Sequence, residues 1–207
     1  MSMILGMLLT MLTTLSDGMF HTTYQTVSTA SMQECSATID TMIHYLQTDP
    51  GMLSEHFFCG LGMQTDKKKN AFYLVWKESE YDAQNQYSRL VLDVLVDEKP
   101  FLKDVVIEAL VTDSMVGDRR DIRVDINYAG SLIKQAYGTF HLQPMSDGNV
   151  QLGIDVHVKF GWFFRIFISR KVYSETIDWR LARFVENLRL TSEGITPTDA
   201  YWAEQNK

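Results

Sequence analysis

The chain has 207 residues, of which 45% are hydrophobic and 22% are charged, and its formal net charge is −7. This length and composition predict a folded protein with one substantial core and exclude a disordered chain. The acidic balance argues against a nucleic-acid partner, because binding to phosphates requires a basic surface.

Residues 1–18 contain an apolar run, Met3–Leu15, followed by Ser16-Asp17-Gly18. The run is shorter than the roughly 20 residues that a membrane-spanning helix needs. One interpretation is a secretory signal cleaved after Gly18, although no basic residue precedes the run. The mature protein would then be secreted or periplasmic. The other interpretation is an apolar N-terminal helix in a cytoplasmic protein.

Two cysteines, Cys35 and Cys59, are too few for a disulfide scaffold and have no zinc-binding spacing. In an oxidising compartment they would form one bridge that closes a loop of about 25 residues. The alternative, which we favour, is that both are buried, unpaired small hydrophobic residues.

The first part of the chain predicts a strand followed by helices. Phe20–Thr29 is rich in Thr, Val and Tyr, which favour strands. Ser31 and Glu34 have the spacing of a capping box, which predicts the start of a helix. Asp49-Pro50-Gly51 predicts its end, and Met52–Phe58 one or two further helical turns.

The middle of the chain predicts an antiparallel meander. Strict alternation is clearest in Val150–Phe160, where every second residue is apolar. Other runs rich in β-branched and aromatic residues predict strands at Ala71–Glu78, Tyr87–Val96, Asp104–Thr112, Ile122–Tyr128 and Leu132–Gln143. Asp104–Thr112 also fits a helix started by Pro100. We expect a sheet with one apolar and one polar face.

Phe163–Leu190 predicts a long helix that covers the apolar face of this sheet. Its apolar residues recur at helical spacing: Ile166, Tyr173, Ile177, Leu181, Phe184 and Leu188. Its polar residues predict a solvated opposite face: Arg170, Lys171, Ser174, Glu175, Asp178, Arg180, Arg183, Glu186 and Arg189. The basic members of this face are either simply solvated or a docking face for an anionic protein partner. Residues 191–207 predict an extended tail, anchored by Tyr201 and Trp202.

This order of elements resembles the START-like, helix-grip superfamily, which includes polyketide cyclase-like proteins, coenzyme Q-binding proteins and pollen-allergen-type carriers. The local likeness lies in Ser28–Ser31, Thr48-Asp49-Pro50, Gly138–Pro144 and Asp147-Gly148. The resemblance covers residues 20 to 190 and rests on element order rather than on a diagnostic motif. The chain departs from it by one strand more than the usual six-stranded meander, unless Asp104–Thr112 is helical or Phe58–Thr65 is a loop.

The resemblance implies an α+β fold, in which an antiparallel meander curves around a long C-terminal helix after two short helices. It implies one domain over residues 19–190, between the 1–18 segment and the 191–207 tail. Members hold an apolar ligand between sheet and helix, which implies non-catalytic binding of a lipid-, sterol- or quinone-like molecule. The candidate lining residues are Ile126, Tyr128, Phe140, Leu152, Ile154, Val156, Tyr173, Ile177, Leu181 and Phe184. The alternative is a filled core in a protein-interaction module.

The sequence predicts no catalytic residue, no metal ligand and no cofactor. The five histidines show no HExxH or other metal-binding spacing. Asp155 and His157 share the polar face of one predicted strand, with His141 expected across the hairpin, and such a cluster can transfer protons. Exposed polar residues on a sheet are the simpler interpretation. A cyclase- or hydrolase-like enzyme is the less favoured hypothesis, because it requires polar side chains beneath the helix.

Overall fold

A computed structural model describes residues 10–49, 52–53, 56–61, 72–96, 99–166 and 168–198 of the chain. Within these residues, eight antiparallel strands form one sheet in the order β1-β2-β8-β7-β6-β5-β4-β3. The strands are β1, Thr10–Ser16; β2, Met19–Ser28; β3, Phe72–Asp82; β4, Tyr87–Val96; β5, Lys99–Val116; β6, Arg119–Tyr128; β7, Ile133–Pro144; and β8, Val150–Phe160.

The helices lie after β2 and after β8. They are α1, Met32–Thr48; α2, Trp162–Arg165; α3, Arg170–Tyr173; a π-helical segment, Ser174–Asp178; and α4, Trp179–Ser192. In the part of the chain that the structure describes, no helix combines the length and the apolar character needed to cross a membrane. The α+β class and the long C-terminal helix over an antiparallel sheet are therefore confirmed.

Local sequence signals correctly predict most of the described elements. Ser31 and Glu34 form the capping box of α1, with the Ser31 N–H donating to Glu34 Oε2 at 2.7 Å, and the helix ends at Asp49. Asp104–Thr112 lies inside β5, so its strand interpretation is confirmed and the helical alternative is wrong. Among the described residues, β2 to β8 correspond to the seven predicted strands, and β1 is an additional, eighth strand that the sequence did not predict.

The N-terminal apolar segment contributes this additional strand. Thr10–Ser16 pairs with β2 in an antiparallel hairpin, in which Thr13 lies opposite Thr22. The helical interpretation is therefore wrong for these residues. Residues 1–9 lie outside the described residues, and the secretory signal stays a prediction.

The C-terminal helix differs from the single helix predicted over Phe163–Leu190. Its continuous helical run begins at Arg170, where Ser169 Oγ caps it by accepting the Val172 N–H at 3.2 Å. Ile166, which lies before this run, is 70% exposed and takes no part in the buried stripe.

The π-helical segment changes which residues face the core. A π turn contains one more residue than an α turn, so the apolar spacing of 3.6 does not continue through it. Asp178 follows Tyr173 by five residues and both are buried. Asp178 and Arg180, which were predicted to face solvent, are only 3% and 9% exposed.

The segment at residues 56–61 covers a second side of α4. Asn187 Nδ2 donates to the backbone oxygens of Phe57 and Cys59 at 3.1 and 2.8 Å, and Arg180 Nε donates to Leu61 O at 2.7 Å. These bonds explain the burial of two polar helix residues, because each reaches a backbone oxygen. Cys35 and Cys59 are both buried, and within the described chain no disulfide joins them, so the disulfide interpretation is wrong.

The segment predicted as a tail begins with residues packed on the domain. Thr191 and Ser192 complete α4, and Pro197 is among the fully buried side chains. Tyr201 and Trp202, its predicted anchors, lie outside the described residues.

Candidate functional site

The pairing of residues between neighbouring strands determines which side chains of the sheet face the helix. Along β8 the inward-facing residues are Val150, Leu152, Ile154, Val156, Val158 and Phe160. Val150 and Leu152 are each 1% exposed, whereas Val156 and Val158 remain partly exposed. One strand thus has a fully packed end and a less packed stretch on the same face.

Among the described residues, the buried apolar side chains beneath the helix form two separate clusters. The larger cluster joins α1, α4 and the sheet, and includes Ile39, Ile122, Leu152, Val185 and Leu188. The smaller cluster consists of Phe20, Phe160 and Tyr173, in which the Phe20 and Tyr173 rings stack with centroids 4.1 Å apart. A single domain usually has one contiguous core, so the interval between the clusters is a distinct feature.

The interval is lined by apolar residues that face inward and yet remain partly exposed. They come from both the sheet and the helix: Val124, Ile126, Val156, Val158, Ile177 and Leu181. Apolar area on both facing surfaces thus remains accessible, although Val124, Val156 and Leu181 pack against the larger cluster and Val158 and Ile177 against the smaller. The floor also has small residues, since Gly138 pairs with Val156 and Ala136 pairs with Val158.

We call these six residues the open end. The closed end is the part of the larger cluster formed by Ile122, Phe140, Leu142, Val150, Leu152, Val185 and Leu188.

A buried polar network fastens the π-helical segment to β2 beside the open end. Thr22 Oγ1 donates to Asp178 Oδ1 at 3.0 Å, and Ser174 Oγ donates to Asp178 Oδ2 at 2.7 Å. Thr13 Oγ1 lies 2.9 Å and the Tyr173 hydroxyl 3.4 Å from Thr22 Oγ1. Burial, with the nearby Asp178 carboxylate, raises the pKa of Tyr173 despite an opposing effect of its hydrogen bond to Thr22. Both carboxylate oxygens of Asp178 are occupied.

A second polar cluster lies on the opposite, outward face of the sheet. Asp155 Oδ2 lies 3.1 Å from His21 Nε2, and Asp155 Oδ1 lies 3.1 Å from His157 Nδ1. The two imidazole rings stack with centroids 4.0 Å apart, and Tyr137 stacks on the other side of His157 at 4.6 Å. Burial and the neighbouring His21 lower the pKa of His157, against the effect of Asp155. Among the described residues, this trio has the donor set and spacing to hold a metal ion.

Comparisons with known proteins identify the fold. No protein-family model matches the chain, and no curated protein matches it. The Zhui aromatase/cyclase from Streptomyces sp. R1128 is 10% identical, with a TM-score of 0.53 over 84% of this chain and 94% of that chain. Ara h 8.0201 is 8% identical, with a TM-score of 0.51 over 86% and 99%. A conserved protein from Geobacillus kaustophilus is 12% identical, with a TM-score of 0.50 over 84% and 95%. The chain has the START-like helix-grip fold.

The helix-grip architecture places the ten residues predicted to line a cavity in three groups. Six belong to or pack against the larger cluster: Phe140, Leu152, Ile154, Val156, Leu181 and Phe184. Tyr173 and Ile177 lie at the smaller cluster. Ile126 and Tyr128 lie near the end of β6 and line a surface cavity of about 220 Å³, where Tyr128 is 52% exposed. Four of the ten, Ile126, Val156, Ile177 and Leu181, therefore line the open end.

Several basic residues of the C-terminal helix bind groups within the protein. Arg189 pairs with Glu186 and Glu193, and the Arg170 guanidinium donates to Thr13 O at 2.8 Å. Arg180 is buried, and this burial lowers its pKa to about 10. These contacts reduce the positive charge that the C-terminal helix could offer to the anionic protein partner predicted from the sequence.

Sequence reasoning missed the residues that complete both polar clusters. The predicted pair Asp155 and His157 is present on the outward face. The third member of the cluster is His21, whereas His141 lies across the β7–β8 hairpin opposite Gly153. Alternation in β2 does place His21 outward and Thr22 inward. The pairing of β2 with β8 was the missing information, because it brings together residues 134 positions apart.

Proposed function

We propose that the chain binds a hydrophobic small molecule, lipid-, sterol- or quinone-like, at the open end between the sheet and the C-terminal helix. The observation that carries this proposal is the partial exposure of apolar residues on two facing surfaces, between two separately packed clusters. An apolar molecule in this interval would remove those surfaces from water, at roughly 25 cal/mol for each Å² buried.

The chemistry of the lining supports binding without catalysis. The six residues that define the open end are all apolar. Asp178 lies close to them along the helix, but it is 3% exposed and both of its oxygens accept hydrogen bonds from hydroxyl groups. A general acid or base must reach the substrate, so Asp178 in this arrangement serves structure rather than proton transfer.

The helix-grip fold also supports the proposal. A curved sheet under one long helix leaves an interval that is filled either by large side chains or by a ligand. At the open end, Gly138 and Ala136 supply little volume to the floor. The Val156 side chain covers Gly138, since a Cβ at position 138 would lie 3.1 Å from Val156 Cγ2, so Val156 forms the floor there.

Two substitutions of Val156 test the proposal in opposite directions. Val156→Phe adds a ring to the floor of the interval, whereas Val156→Ala enlarges the interval. We expect wild-type protein to bind cis-parinaric acid, dehydroergosterol or decylubiquinone saturably, measured by fluorescence or calorimetry. Val156→Phe should weaken this binding at least tenfold, and Val156→Ala should preserve it.

Thermal unfolding provides the control for folding, since both variants must keep a cooperative transition before their affinities are compared. Mass spectrometry of an organic extract from untagged protein should also reveal a co-purified apolar molecule. The proposal is wrong if wild-type protein binds none of the three probes, or if a folded Val156→Phe variant binds them as tightly as wild type.

A further inference from the structure

The outward face of the sheet presents a constellation that the proposed ligand site does not use. His21 on β2 lies directly opposite His157 on β8, and Asp155 lies two residues before His157 on the same face. Directly opposite Cβ atoms in an antiparallel ladder are about 4.5–5.5 Å apart, so the side chains can converge. The strand pairing itself therefore assembles two imidazoles and one carboxylate.

We propose that His21, Asp155 and His157 bind a divalent transition-metal ion of the zinc class. The ligand atoms would be His21 Nε2, His157 Nδ1 and the Asp155 carboxylate. Two histidines and a carboxylate are a common protein ligand set for zinc and for other first-row metals.

The distances between these atoms fit a common metal. Bonds of about 2.1 Å place neighbouring ligand atoms about 3.0–3.4 Å apart in octahedral or tetrahedral geometry. His21 Nε2 lies 3.1 Å from Asp155 Oδ2 and His157 Nδ1 lies 3.1 Å from Asp155 Oδ1, so the carboxylate presents a different oxygen to each imidazole. All three donor atoms lie within 4.8 Å of one another, so rotation of the half-exposed His21 ring out of its stack on His157 would complete the set.

The surroundings of His157 give an independent reason to expect a ligand. Its Nδ1 is shielded from solvent and has no well-aligned hydrogen bond to any described residue, although Asp155 Oδ1 is at ion-pair distance. A buried nitrogen without an aligned partner is costly, and coordination to a metal would satisfy it. Stacking on Tyr137 holds the His157 ring in place.

The neighbouring charges are compatible with a cation. Arg123, on the same face, donates to both oxygens of Asp125 at 2.7 Å and lies over the Tyr137 ring. The side chains of His21 and Asp155 are 38% and 37% exposed, and that of His157 is 24% exposed. A metal held by these three residues would thus keep at least one position for water.

Metal titration of the full-length, untagged protein tests the proposal after treatment with a chelator. Co²⁺ reports coordination through its visible absorption, and Zn²⁺ should displace it. We expect one equivalent to bind per chain, and Asp155→Ala or His157→Ala to weaken binding at least tenfold. Zn²⁺ should also raise the unfolding temperature of wild-type protein but not of His157→Ala.

His141→Ala is the matched control, because His141 lies on the same face of the sheet opposite Gly153. This variant should bind metal as wild type does. Failure of wild-type protein to bind one equivalent would overturn the proposal. Equal affinity in folded His157→Ala protein, or loss of binding in His141→Ala alone, would also overturn it.

Discussion

The open and closed ends lie under one helix and on one face of the same strands, yet they pack differently. Val150 and Val156 are six residues apart on β8, and both face the helix. Val150 is 1% exposed, whereas Val156 is partly exposed. The same contrast holds on the helix, where Leu188 is 1% exposed and Leu181 is partly exposed.

The neighbours of each end account for this difference. The closed end is covered by α1 and α4 and contains large floor residues, including Phe140 and Leu142. At the open end, the corresponding positions of β7 are Gly138 and Ala136. Beside the open end, Thr22 lies opposite Val156 on the neighbouring strand, and its hydrogen bond to Asp178 fastens the helix there. Large side chains thus hold the helix at the closed end, and a polar network holds it beside the partly exposed residues of the open end.

This contrast separates the residues that stabilise the fold from those available to a ligand. Side chains at the closed end are already removed from water, so their burial stabilises the protein by itself. Side chains at the open end gain further burial only when something fills the interval. The same substitution should therefore lower the free energy of unfolding more at the closed end than at the open end.

The largest expected effect comes from a pair of leucines on α4. Leu188→Ala leaves a cavity in the closed end and should lower the free energy of unfolding by about 2–5 kcal/mol. Leu181→Ala should cost clearly less, because Leu181 is only partly buried. Urea unfolding of both variants measures the difference. Equal losses of stability would contradict the distinction between the two ends.

An intermediate effect is expected where the polar network fastens the helix beside the open end. Thr22→Val keeps the side-chain shape but removes the hydroxyl that donates to Asp178. Oδ1 of the buried carboxylate then lacks a donor, while Ser174 still donates to Oδ2, and this loss should cost about 1–3 kcal/mol. Hydrogen exchange should quicken in Ser174–Asp178 more than near Leu188.

Thr23→Val is the control for this substitution. Thr23 is the next residue on β2 and lies on the outward face of the sheet, away from Asp178. Its replacement should change the free energy of unfolding by no more than about 0.5 kcal/mol. Similar losses for Thr22→Val and Thr23→Val would show that the network does not fasten the helix.

Much of this fold is predictable from local patterns in the sequence. Alternation in Val150–Phe160 gives both the bounds of β8 and its inward face, because side chains in a strand point alternately to opposite sides. The Ser31–Glu34 capping box likewise marks the start of α1. Such signals depend only on residues close together in the chain.

The parts that could not be predicted depend on contacts between distant residues. The Asp178 carboxylate is buried because Thr22, 156 positions away, donates to it, and the π turn brings it to face β2. Periodicity alone assigns Asp178 to the solvated face. Likewise, nothing in β8 indicates that His21 will pair with His157. The proposed metal site and the hydrogen bond that fastens the helix both rest on this long-range pairing of β2.

The smallest expected effect concerns pH at the closed end, where Glu193 links the end of α4 to β2. Glu193 accepts hydrogen bonds from the Thr29 N–H at 2.9 Å and from Ser28 Oγ at 3.1 Å, and it pairs with Arg189. Burial favours a higher pKa, but the Thr29 N–H, the Arg189 charge and the Ser28 hydroxyl together lower the pKa of Glu193.

A carboxyl group with a lowered pKa in the folded state stabilises the protein above its unfolded pKa, near 4.5 here. This stabilisation is lost as the pH falls through the lower, folded pKa. Glu193→Gln should therefore be less stable than wild type at neutral pH, and the difference should shrink in acid. Urea unfolding at a series of pH values measures it. Glu78→Gln, which breaks an exposed ion pair with Arg89, should stay close to wild type at neutral pH. A difference between Glu193→Gln and wild type that stays constant into acid would show that the Glu193 carboxylate does not link the closed end to β2.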